Sequence, residues 1–128
     1  MAEHIKKGIA SAGREAYIFT VGEFGNKDTG DYEKIAFGCP SMGNEVLEEN
    51  EFEPFFASIE QLLPNKQVAL FGSYGWGDGE WMRNWEERVR SAGAVLFEEG
   101  LIVNMTPDES DSIKCYEFGR RFGEYNEK

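Results

Sequence analysis

Histidine, cysteine and positive charge are scarce in this 128-residue chain. There is one His and there are two Cys, and neither Cys39 nor Cys115 falls in a CxxC or zinc-type spacing. Zinc sites draw several Cys and His ligands from short spacings, so a metal centre of that kind is excluded. Cys39 ends an apolar run and Cys115 sits in a helix-like segment; both are expected to be buried, reduced thiols of a cytoplasmic protein. Lys and Arg number 13 against 24 Asp and Glu, a net charge of −11. Such a surface repels nucleic acid and anionic membranes and attracts basic proteins at low salt. Solubility alone accounts for the acidity equally well. No apolar stretch approaches the ~18 residues of a membrane-spanning helix, and no signal peptide is evident. Neither nucleic acid nor membrane is expected as a partner.

What the chain holds in quantity is glycine and aromatic rings, and it concentrates them. Residues 72–81 read Gly72-Ser73-Tyr74-Gly75-Trp76-Gly77-Asp78-Gly79-Glu80-Trp81, directly after the apolar run Val68-Ala69-Leu70-Phe71. A strand followed by such a loop puts bare backbone amides beside large flat rings. Glycine lets backbone approach a ligand closely, rings cover its faces, and amides bond its edge. The pattern suits a flat, polar-edged heterocycle.

The length suits one domain with one core, residues 1–128. Residues 1–12 read as a helix stopped by Gly13, and Ala16-Tyr17-Ile18-Phe19-Thr20-Val21 as a strand. Residues 22–33 read as a surface loop. Lys34-Ile35-Ala36-Phe37-Gly38-Cys39 and residues 66–72 are short apolar runs that fit strands buried on both faces. Residues 51–63 place Phe52, Phe55, Phe56, Ile59 and Leu63 on one side of a helix, with Pro54 in its first turn. Asp78 is a candidate cap for a helix carrying Met82, Trp85, Val89 and Ala92, with Gly93 as its stop. A last strand over 94–103 is expected to be interrupted near Glu98–Gly100. A final helix spans 107–123, with Cys115, Phe118 and Phe122 inward. Alternation of short apolar strands with helices implies a parallel sheet covered on both faces.

Ligands of open parallel sheets bind outside the carboxyl ends of the strands. The loops 40–45 and 72–81 both leave such ends, so they are expected to converge. Met42 and Trp76 are candidates to sandwich a ring; the competing reading is that each is ordinary packing. Glu45 is placed to accept a ring N–H, and the amides of residues 43–45 and 75–77 to donate to ring carbonyls. Trp81 and Trp85, in or beside the helix stripe, are expected in the core.

These residues resemble the short-chain flavodoxins of anaerobic bacteria. The likeness rests on Phe37-Gly38-Cys39-Pro40-Ser41-Met42-Gly43-Asn44-Glu45-Val46-Leu47-Glu48, on Val68 through Trp81 with its Gly-Ser-Tyr-Gly-Trp-Gly run, and on Ile113 through Gly119. The resemblance implies a flavodoxin-like α/β fold and an FMN-binding single-electron carrier rather than an enzyme. It implies an FMN site built from Ser41, Met42, Gly43, Asn44, Glu45, Ser73, Tyr74, Gly75, Trp76 and Gly77. In that site Met42 and Trp76 flank the isoalloxazine and Glu45 receives its N3–H. The Gly43–Asn44 peptide turns over on reduction so that its carbonyl meets N5–H. Basic redox proteins are the implied partners, steered by the acidic surface.

The chain departs from the family at its start. Flavodoxins open with a central strand and a phosphate loop rich in Ser, Thr, Gly and Asn, whereas Met1-Ala2-Glu3 matches the inside of the helix that follows. No Ser/Thr-x-Thr-Gly-Asn-Thr pattern occurs in the sequence. The resemblance implies a sheet lacking its usual first central strand, with a gap between residues 16–21 and 34–39. Residues 16–21 moving into the gap, a second molecule filling it to give a homo-oligomer, and partial unfolding remain open. FMN binding is expected to be weakened or lost. The alternatives are a cofactor-free, oligomeric module and an FMN-dependent reductase.

Overall fold

The computed structural model describes residues 1–24, 29–30, 32–41, 47–75, 77–104 and 108–125. Helix α1 spans Ala2–Ser11 and strand β1 Lys34–Gly38. Helix α2 spans Phe52–Ile59 and tightens into a 3-10 turn over Glu60–Leu62. Strand β2 runs Gln67–Tyr74 and helix α3 Glu80–Ser91. Strands β3 (Val95–Leu96) and β4 (Leu101–Asn104) precede helix α4 (Glu109–Glu124).

Every described strand pair is parallel. β2 lies between β1 on one edge and β3 with β4 on the other. Side chains alternate along the strands. Phe37, Val68 and Leu70 face a core shared with Phe56, Trp81, Met82, Trp85 and Val89. Ala69, with Ala36 and Phe71, faces Ile5, Cys115, Phe118 and Phe122. With helices over both faces, each strand is apolar on both sides, which is why the runs read as continuous rather than alternating. α1 and α4 cross closely: a Cβ on Gly8 would stand 2.0 Å from the Tyr116 carbonyl oxygen, and one on Gly119 2.1 Å from that of Ile5.

The expected break in the last strand is present. β3 pairs with β2 at Val68↔Leu96, an offset of 28 (96 − 68), and β4 at Phe71↔Leu101, an offset of 30 (101 − 71), so two extra residues loop out. The Glu86 carboxylate takes the Gly100 N–H at 2.6 Å, satisfying an amide withdrawn from the ladder.

Three expectations need correction. Residues 16–21 form no strand. Between them and β1 lies a cavity of about 610 Å³, so no strand edge is within their reach. The aromatic loop begins later than expected, because β2 continues through Ser73 and Tyr74 while β4 is there to pair with it. Asp78 does not cap α3. Gly79, at φ +91°, is the N-cap, and Asp78 instead pairs with Arg83 at 3.0 Å. Among the described residues no helix is long and apolar enough to cross a membrane.

Candidate functional site

The ladder between β1 and β2 does not stop at Gly38. The Cys39 N–H donates to the Phe71 carbonyl at 3.1 Å and the Ser41 N–H to the Ser73 carbonyl at 2.9 Å. Pro40 and Ser41 therefore run beside Gly72–Tyr74, and the two loops of interest leave the sheet side by side. β4 ends at the same place, in register Tyr74↔Asn104, and the Asn104 amide nitrogen donates to the Tyr74 carbonyl at 3.5 Å.

The start of α1 lies at this end as well. The Arg14 Nε, beyond the last turn of α1, donates to the Gly123 carbonyl at 2.6 Å, near the end of α4. The Lys34 ammonium, at the start of β1, donates to the carbonyls of Phe122 and Tyr125. The end of α1, the end of α4 and the start of β1 thus cluster together. Gly8 meets Tyr116 and Arg120, and Gly119 meets Ile5, so the two helices run parallel. The beginning of α1 then stands at the carboxyl ends of the strands, where its first-turn amides are directed.

Each side chain here has a local cause. Gly72 belongs to packing rather than to a ligand: a Cβ on it would stand 2.2 Å from the Cys39 carbonyl oxygen. That carbonyl also accepts from the buried Trp81 indole nitrogen at 3.3 Å. The Tyr74 ring lies 5.7 Å from the Trp81 ring, turned to the core. Gly75 differs: it is exposed, and among the described residues nothing lies within 4 Å of where a Cβ would be. Gly77 takes φ +93°, a left-handed geometry that favours glycine. Ser41, Ser73, Tyr74, Gly75 and Gly77 are therefore brought to one end of the sheet. Met42, Gly43, Asn44, Glu45 and Trp76 lie outside the described residues.

The sequence reading missed the groups that hold the first loop. Cys39 pins both of its ends: its sulfur lies 3.5 Å from the Pro40 carbonyl oxygen and accepts the Glu48 N–H at 3.4 Å. Burial pushes the Cys39 thiol up to about 11, so it is a packed, unreactive thiol. The Glu48 carboxylate then accepts from the amides of Asn50, Glu51 and Phe52 at 2.7, 2.7 and 2.9 Å. These backbone bonds hold its carboxyl below the ordinary glutamate range. A Glu four residues before a helix is a faint capping signal, and a Cys bonded through sulfur leaves none.

Chemically, the site offers open backbone, hydroxyls and a tyrosine turned inward. Among the described residues no three His, Cys, Asp or Glu side chains group as a metal site would require. The donor set fits a flat ligand whose edge takes amide bonds: the open backbone at Gly75 is space a Cβ would fill, and it adjoins the Ser41–Ser73 pairing.

Comparison with known proteins gives a consistent result. The family profile described as Flavodoxin matches residues 1–119. The chain is 46% identical over 121 residues to a flavodoxin of Clostridium beijerinckii, covering 94% of this chain and 87% of that one. It is 39% identical over 119 residues to a flavodoxin of Megasphaera elsdenii, covering 93% and 85%. The solution structure of the two-electron reduced Megasphaera elsdenii flavodoxin superposes with a TM-score of 0.87 at 36% identity, over 97% of this chain and 88% of that one.

Proposed function

The chain belongs to the flavodoxin family, and from that premise we propose that it is a single-electron carrier holding FMN at the carboxyl ends of β1 and β2. Flavodoxins carry electrons rather than catalyse a transformation of substrate, and FMN is their cofactor. The observation that supports the site is the Ser41–Ser73 backbone bond, which brings the two loops together, with the open backbone of Gly75 beside it.

When bound, FMN supplies the one-electron chemistry; the chain's residues set its surroundings. Trp76 and Met42 would cover the two faces of the bound ring and exclude water. Glu45 would accept a ring N–H, and the amides of residues 43–45 and 75–77 would donate to the ring carbonyls. Gly43 would let the Gly43–Asn44 peptide turn over at low cost, offering its carbonyl to a ring N–H. Asn44 tolerates left-handed geometry and carries no charge. The net charge of −11 opposes a second negative charge at the ring and draws basic redox partners to its edge. Two free, buried thiols suit the cytoplasm.

Titration of FMN with the protein, followed by quenching of flavin fluorescence, tests this reading. Saturable quenching is expected, and no saturation at any attainable concentration overturns FMN binding by this chain.

A further inference from the structure

Cys39 bonds through its amide, its carbonyl and its sulfur, and each bond reaches a different part of the candidate site. The N–H donates to the Phe71 carbonyl at 3.1 Å and holds Cys39 to β2. The carbonyl accepts from the Trp81 indole nitrogen at 3.3 Å and is the atom that keeps position 72 to glycine. Trp81 stands in the first turn of α3, just past the second loop. The sulfur lies 3.5 Å from the Pro40 carbonyl oxygen and accepts the Glu48 N–H at 3.4 Å. One buried residue thus joins the start of the first loop, the end of that loop and the helix beyond the second.

Glu48 fixes the far end of the first loop. Its carbonyl accepts the Glu53 N–H at 2.8 Å, and its carboxylate takes the amides of Asn50, Glu51 and Phe52. Leu47, beside it, is buried in the same core cluster as Cys39. Residues 40–47 therefore leave from one fixed point and return to another. The bond from the Glu48 amide to the Cys39 sulfur sets the span between the two, and among the described residues that amide has no other partner. A loop whose ends are held has less freedom to lose when a ligand binds.

We propose that Cys39 and Glu48 are positioning residues for the cofactor: the bond between them holds the first loop ready for FMN before FMN arrives. The proposal rests on the functional reading above, which assigns Met42 and Glu45 of that loop to the ring. The competing role for a buried cysteine is that of a small apolar filler. The two roles order the variants differently. As an acceptor, Cys39 is replaced by serine better than by alanine. As a filler, it is replaced by alanine better than by serine, because a buried hydroxyl costs more than a methyl.

The test compares the unaltered protein with Cys39→Ala and Cys39→Ser, each first checked for its fold by circular dichroism. Exchange of the Glu48 amide is followed by NMR in the FMN-free chains. It is expected to quicken at least about tenfold in Cys39→Ala and to stay within about threefold of the unaltered protein in Cys39→Ser. FMN affinity is read by fluorescence quenching. It is expected to weaken about three- to tenfold in Cys39→Ala and to recover to within about twofold in Cys39→Ser. Equal affinity in Cys39→Ala and the unaltered protein overturns the proposal. So does weaker binding by Cys39→Ser than by Cys39→Ala, which assigns Cys39 to packing. A Glu48 amide that exchanges at the solvent rate in the unaltered protein also overturns it, and that result needs no variant. Failure of the unaltered protein to saturate with FMN overturns the functional reading and this proposal together; each of the other results, with saturation in the unaltered protein, overturns this proposal alone.

Discussion

Gly72 and Cys39 approach so closely that no side chain fits between them. A Cβ on Gly72 would stand 2.2 Å from the Cys39 carbonyl oxygen and 3.2 Å from the Trp81 ring. Both obstacles are fixed, one as backbone and the other as a buried indole bonded to that same carbonyl. Gly72→Ala is expected to lower stability by about 1–3 kcal/mol, measured by urea unfolding. Gly75→Ala, three residues on, meets nothing within 4 Å among the described residues and is expected to leave stability unchanged. Equal midpoints for the two variants would contradict this packing.

A second expectation concerns the joint between α2 and α3. The Arg88 guanidinium holds both oxygens of Glu53 at 2.6 and 2.7 Å, reaches Glu60 at 2.8 Å, and lies 5.0 Å from the centre of the Phe56 ring. The two carboxylates keep the guanidinium protonated beyond its ordinary range. The carboxylates are about a third exposed, so screening reduces the pair energy. A double-mutant cycle of Arg88→Met and Glu53→Gln is expected to give a coupling of roughly 0.5–1 kcal/mol, shrinking in high salt. Zero coupling at low salt would reduce the contact to geometry without energy.

Much of this architecture is legible in the sequence, for a physical reason. Burial on both faces dictates unbroken apolar runs, so residues 34–39 and 66–72 declare themselves. The stripe Met82, Trp85, Val89 could only be one buried helix face. Residues 16–21 mislead because aromatic and β-branched composition reports propensity, while a strand also needs an edge to pair with. Asp78 misleads because it stands beside the true cap, and its bond to Arg83 is defined only once the helix start is fixed. At the site, sequence marks the glycines but not their reasons. Gly72 serves Cys39, and Gly75 leaves backbone open. Cys39 and Glu48 went unread because a sulfur contact and a carboxylate capping from outside the helix have no pattern of their own. The ring-side residues Met42, Gly43, Asn44, Glu45 and Trp76 rest on the sequence and the family.

Trp76 is the residue on which FMN affinity should turn. If it covers one ring face, Trp76→Ala removes a stacking contact of the size that aromatic–base stacks provide, roughly 1–3 kcal/mol, and weakens FMN about tenfold or more. Trp76→Phe retains a ring and should recover most of the loss. Fluorescence titration checks both. Unchanged affinity in Trp76→Ala would move the ring elsewhere.

Glu48 gives a prediction in acid. Its carboxylate takes three amides at the start of α2, and these bonds hold its carboxyl low. A carboxylate with a depressed folded value contributes stability above the unfolded value, here 4.5, and loses it as pH falls through the folded one. Glu48→Gln is expected to melt a few degrees lower at neutral pH, with the gap closing as pH falls from 4.5 through the lower folded value. A gap that persists at low pH would assign the effect to shape rather than charge.

Lys34 gives the opposite sign in alkali. It is partly buried beside the cavity, its ammonium bonded to the Phe122 carbonyl at 2.8 Å and over the Phe122 ring at 4.9 Å. Burial, with the nearby Arg14 charge, brings it from 10.5 down to about 8, against a smaller opposing pull from Glu33. The folded chain therefore releases this proton at lower pH than the unfolded chain. Where the unfolded state holds more protons, stability rises with pH, so this group adds stability between pH 8 and 10.5. Cys39 acts in reverse. Its thiol keeps its proton to about 11 in the fold against 9.0 outside it, so it subtracts stability from pH 9 upward. Denaturant midpoints are expected to climb from pH 8 to 9 and then level off. In Lys34→Gln the climb should vanish and leave only the decline; a climb that survives in that variant would place the titration on another group.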